Sequence, residues 1–150
     1  MEKKEKAIDV RLPPEQKEML IRATTSLCDS VNSSFSATII RFYLRLFASK
    51  SKGWLSEYEE QLDAFISMNN TVQGQISRIN LYGDKATEHT DLIATEIMRV
   101  KPNFLIDRSK VVRFVLLLIE RDLLVNRNKE NIEKLMEIYE VAGLSHKVRK

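Results

Sequence analysis

Residues 6–27 read KAIDVRLPPEQKEMLIRATTSL, and the first half of that stretch decides the fold. Ile8, Val10 and Leu12 fall on one side of an extended chain, and Ala7, Asp9 and Arg11 on the other. That is the period-two alternation of a half-buried strand. Pro13 and Pro14 end it. They also suit the first turn of a helix, where a missing backbone N–H is no loss. A helix then runs to about Leu27, with Met19, Leu20, Ala23 and Leu27 as one apolar stripe. A lone strand ahead of helices has nothing to pair with, and an unpaired strand is not stable. A second strand is therefore expected further along.

The chain supplies one. CDSVNSS (28–34) reads as a loop, rich in side chains that bond their own backbone. Ser34 or Ser36 can cap the next helix, SATIIRFYLRLFASK (36–50). Ile39, Ile40, Phe42, Tyr43, Leu44, Leu46 and Phe47 make it apolar on most faces, so it belongs at a centre. After SKSKG, WLSEYEEQLDAFISM (54–68) is a third helix with Leu55, Tyr58, Leu62, Phe65 and Ile66 as its stripe. NNTVQGQ (69–75) is a loop.

The pattern then restarts. RINLYG (78–83) alternates, with Ile79 and Leu81 on one face and Arg78, Asn80 and Tyr82 on the other. A loop is the alternative reading of so short a run. Gly83 and Asp84 turn the chain, and Asp84 can cap KATEHTDLIATEIMRV (85–100), whose stripe is Ala86, Ile93, Ile97 and Val100. KPNF breaks it. Asp107 or Ser109 caps SKVVRFVLLLIERDLL (109–124), a second helix apolar over most of its surface. Following NRNK, ENIEKLMEIYEVAG (130–143) carries Ile132, Leu135, Met136 and Tyr139, and Gly143 is a C-terminal stop. Strand–helix–helix–helix thus occurs twice, about 70 residues apart, with IIRF (39–42) against VVRF (111–114) as the clearest match.

The expected fold is mainly α with a two-stranded antiparallel β ribbon. Two halves, residues 1–75 and 76–150, intertwine as one domain. The apolar strand faces cover the two central helices, and the polar faces form an exposed ribbon.

Composition agrees. The 150 residues are 43% hydrophobic and 30% charged, with only 4 Gly and 3 Pro, which favours helices over a turn-rich β fold. A net charge of +3 is a mild basic bias and weak support for a nucleic-acid partner. The single cysteine, Cys28, excludes a disulfide framework. MEKKEKAIDV lacks the apolar segment of a secretory signal, and Arg113 interrupts the longest apolar run, far short of the roughly 20 residues of a membrane span. A cytoplasmic protein with no membrane partner is expected.

The segments IDVRLPPE (8–15) and VNSSFSATIIRF (31–42) resemble the ribbon-helix-helix DNA-binding superfamily. SFSAT (34–38) is similar to the matching segment of TraM-type plasmid transfer proteins. The tandem arrangement resembles TraY-type relaxosome proteins, in which one chain carries both halves. The likeness covers about residues 6–50 and 76–125, and the third helix of each half lies outside it. It implies a ribbon in the major groove, where every base pair shows a distinct pattern. The expected base-contacting residues are Asp9, Arg11, Arg78, Asn80 and Tyr82, though a solvated strand face reads the same way. The resemblance also implies phosphate contacts, at the starts of the central helices from Ser34, Ser36, Arg108, Ser109 and Lys110, and beside the first strand from Lys6. As ordinary caps these residues need no ligand.

The implied role is an accessory DNA-binding factor at a plasmid transfer origin, able to repress its own promoter. Double-stranded DNA is the expected partner, together with a relaxase or other transfer protein and self-association on repeated sites. A repressor or antitoxin of the same fold is the alternative, and a helical interaction module without DNA the second. His89 and His146 are far apart, and no metal spacing, phosphate loop or catalytic motif is present, so no metal, no cofactor and no enzyme activity are expected.

Overall fold

A computed structural model describes residues 7–27, 33–68, 77–83 and 85–141. Strand β1 (Ile8–Leu12) leads into α1 (Pro14–Leu27) and α2 (Ser33–Ala48). A 3₁₀ turn (Trp54–Tyr58) opens α3 (Glu59–Ser67). Strand β2 (Ser77–Leu81) precedes α4 (Ala86–Val100) and α5 (Arg108–Ile119). A π-helical turn (Glu120–Val125) extends α5, and α6 (Lys129–Val141) follows.

The strands form a two-stranded antiparallel sheet. Ile8 stands opposite Leu81, Asp9 opposite Asn80, Val10 opposite Ile79, Arg11 opposite Arg78 and Leu12 opposite Ser77. Because side chains alternate, this register turns every apolar residue inward. Ile8, Val10, Leu12 and Leu81 are buried and Ile79 is half-buried, while Asp9, Arg11, Arg78 and Asn80 are exposed.

Beneath the sheet α5 packs on β1, and α2 packs on β2, α4 and α5. A continuous apolar core joins Ile39, Tyr43, Leu44 and Phe47 of α2 to Val112, Phe114, Val115 and Leu118 of α5. Such burial is the main term stabilising the fold. Aromatic contacts seat the outer elements: Phe47 stacks on Trp54 at 5.1 Å, Phe65 of α3 meets Phe114 at 5.7 Å, and Phe35 meets Tyr139 of α6 at 4.7 Å.

Polar groups fix the joints. Asp107 caps α5, its carboxylate accepting the Lys110 N–H at 2.8 Å. Gly53 takes φ 93, a region that penalises a Cβ, at the start of the 3₁₀ turn, and its N–H donates to Glu96 of α4 at 3.0 Å.

Several boundaries and faces differ from the sequence reading. The second helix starts at Ser33, three residues before the expected 36. The third begins as a 3₁₀ turn, and the fifth ends in a π turn. Val100 closes α4 beyond the core and is exposed, and Met136 lies beside the buried stripe of α6 rather than on it. Lys85, in the left-handed region, holds the N-cap position of α4 without a side-chain bond. The cap expected of Asp84 lies outside the described residues, as do Cys28, Gly143 and His146. His89 is half-buried on α4. Among the described residues no helix is long and apolar enough to cross a membrane.

Candidate nucleic-acid interface

The outward face of the sheet gathers the residues expected to meet a ligand. Asp9 and Asn80 form one cross-strand pair, Arg11 and Arg78 the next. Tyr82 follows β2 and is 57% exposed. Like charges directly opposite destabilise a strand pair, so the two arginines cost the ribbon stability. Asp9 offsets one of them: Arg78 Nη1 donates to Asp9 Oδ2 at 3.2 Å, with both side chains more than half exposed. The Arg11 side chain makes no hydrogen bond or ion pair among the described residues. An exposed guanidinium beside a second one is a ready donor to anionic or hydrogen-bond-accepting groups.

The backbone under Arg11 is held from below. Arg113 of α5 is only 8% exposed. Its Nη1 donates to the Arg11 carbonyl at 3.4 Å and to Ser109 Oγ at 3.0 Å, and its own carbonyl accepts from Gln16 Nε2 of α1 at 2.8 Å. Burial pulls the Arg113 guanidinium below its ordinary value, opposed by Asp107, yet an arginine remains charged at any physiological pH. Sequence reasoning gave Arg113 no partner, reading it as a break in an apolar run and as part of the repeated VVRF stretch. The signal was available, because a charge among buried residues requires partners, and here they are the strand backbone and a cap-region serine.

The start of α5 brings Arg108, Ser109 and Lys110 together, as expected, but each is engaged within the fold. Arg108 makes a fork with Asp91 of α4, Nε to Oδ1 and Nη2 to Oδ2, both at 2.9 Å. That contact holds the Asp91 carboxyl below the usual range. Ser109 accepts from Arg113. Lys110 Nζ donates to the Leu105 carbonyl at 3.0 Å and lies 5.6 Å from the Phe104 ring centre. An open groove of about 670 Å³ runs between this helix start, α4 and the beginning of β1, with Asp9, Asp91, Asp107 and Arg108 on its walls.

At the start of α2 one expectation is corrected. Ser36 is buried, and its Oγ lies 2.7 Å from Thr24 Oγ1 of α1. Because α2 begins at Ser33, Ser36 falls a turn inside the helix rather than at its cap. Lys6 and the Ser34 side chain lie outside the described residues.

Compared with protein-family models, curated proteins and solved structures, the chain matches none.

Proposed function

We propose that this chain is a sequence-specific double-stranded DNA-binding protein that lays its β ribbon in the major groove, built as a tandem ribbon-helix-helix unit. The carrying observation is the register: it buries Ile8, Val10, Leu12 and Leu81 and leaves Asp9, Arg11, Arg78 and Asn80 on one exposed face. A two-stranded ribbon fits the major groove, and guanidinium and amide groups match guanine and adenine edges with two bonds each. The element order, strand then three helical segments, twice over, supports the duplicated reading. So does the packing, with each strand lying against the central helix of the other half: β1 on α5 and β2 on α2. Within that reading the chain is a cytoplasmic accessory factor at a plasmid transfer origin, working beside a relaxase and repressing its own promoter.

Replacing Arg11→Glu and Arg78→Glu together tests it. Footprinting on DNA flanking the gene, at two salt concentrations, should show protection by the wild type and none by the double variant, with the helical circular-dichroism signal and melting temperature near wild type. Retained protection of the same site sinks the ribbon reading. No protection by the folded wild type favours a helical protein-binding module instead.

A further inference from the structure

The ribbon is chemically lopsided along its length. An approximate two-fold axis through the Val10/Ile79 pair exchanges the strands and carries the Asp9/Asn80 pair onto the Arg78/Arg11 pair. In a symmetric dimer those two pairs would be identical. Here one end presents two guanidinium groups, and the other a carboxylate and an amide.

The surroundings sharpen the contrast. The Asp9 end opens onto the groove at the start of α5, where Asp91 and Asp107 add two more carboxylates and Arg108 is the one cation among the described lining residues. That cation is already held by Asp91 at two points. One of the N–H groups at this helix start that would attract a phosphate is also engaged, since Lys110 N–H donates to Asp107. A phosphate approaching the groove meets three carboxylates on its described walls, and the one guanidinium among them is already engaged. At the other end the Arg11 side chain has no partner among the described residues, and its strand is braced on α5 through Arg113.

We infer that the ribbon grips DNA by one end: Arg11 and Arg78 together take guanine edges in neighbouring base pairs, while Asp9 and Asn80 face a cytosine amino group and an adenine, so that each chain reads an oriented, non-palindromic site. This rests on the DNA-binding reading above and adds the polarity of the site and the base class at each end. Guanine offers N7 and O6 to one guanidinium fork, cytosine offers an amino donor to a carboxylate, and adenine fits an amide. The two arginines sit at the same level of the ribbon on opposite strands, so their targets lie close together rather than at the two ends of the site.

The test selects binders from a pool of random duplexes with the full chain and maps guanine N7 methylation interference on the winners, with chains per duplex fixed by sedimentation. The expected result is interference clustered at one end of each chain's footprint. Arg11→Gln and Arg78→Gln should each weaken binding to the selected site by about 5- to 150-fold and erase the guanine preference there. Asn80→Ala should relax preference only at the far end. Interference of equal strength at both ends, or a palindromic selection for a single bound chain, overturns the polarity and leaves DNA binding standing. No enrichment at all by folded protein overturns the DNA reading and this inference with it. The wild-type interference map decides the point even if a variant misfolds.

Discussion

The Tyr43 hydroxyl of α2 donates to the carboxylate of Asp122 in the π turn that extends α5, tying the two central helices together away from the ribbon. Asp122 is a junction: it also accepts from Asn128 Nδ2 at 2.9 Å and Asn131 Nδ2 at 2.8 Å, and its carbonyl takes the Asn128 N–H at 2.9 Å. Removing the hydroxyl deletes one bond, whereas removing the carboxylate strands several donors. Tyr43→Phe should cost about 1–2 kcal/mol and Asp122→Ala about 2–4 kcal/mol, read from urea midpoints at neutral pH. Burial raises the Tyr43 hydroxyl well above its ordinary 10.0, and the Asp122 carboxylate adds to the shift. The folded state thus keeps its proton where the unfolded chain loses it. That contribution is whole below pH 10 and is lost as pH climbs further, so Tyr43→Phe should flatten the alkaline fall in stability.

Glu96 makes the opposite case at acid pH. It accepts from the Gly53 N–H at 3.0 Å and from Arg99 at 3.2 and 2.8 Å. Arg99 chiefly, with help from the Gly53 amide and against the cost of burial, holds its carboxyl below the ordinary 4.5. Its stabilising effect is present above that value and disappears as pH falls through the lower folded one. Glu96→Gln should lower the urea midpoint at pH 7, with the gap to wild type closing below about pH 4. A gap that persists unchanged into acid would show that the charge is not what matters there.

The ribbon was legible because its signal is local: strict alternation over residues 7–12 and 78–82 specifies which side chains share a face whatever they pack against. The central helices were legible through their breadth of apolar residues. What escaped were features set by neighbours. A shift of three residues at the start of α2 turned Ser36 from surface to core, and nothing in SSFS fixes that start. The π turn has no pattern of its own; within it Asp122 gathers Tyr43 from across the fold and two asparagines that follow it in sequence. Arg108 was placed at the right helix end, but its capture by Asp91, 17 positions earlier, depends on how α4 packs against α5.

Asp9 restrains Arg78 and sets a negative charge on a face proposed to meet phosphates and bases. Asp9→Asn releases the guanidinium and removes the repulsion. Affinity for random duplex DNA should rise, while the ratio of specific to non-specific binding falls, because the charged carboxylate facing the far end of the site gives way to an amide that donates as well as accepts. Titrations with selected and random duplexes measure both. Stability should change by no more than about 0.5 kcal/mol, as for any exposed pair. A loss of affinity for both DNAs would mean that Asp9 positions Arg78 rather than opposing the duplex.

Asp91 gives the sharpest control on the acidic end. Its fork with Arg108 is exposed, so breaking it leaves the fold nearly unchanged. Asp91→Asn frees the Arg108 guanidinium at the start of α5 and removes one of three carboxylates from the groove. If that end is kept from phosphate by charge, the variant should bind duplex DNA more tightly at low salt, and the slope of log affinity against log salt should steepen by about one phosphate contact. Arg108→Ala on the Asp91→Asn background should return the slope to its wild-type value. An unchanged slope would place the start of α5 away from the duplex and leave Arg108 a structural partner of α4 alone.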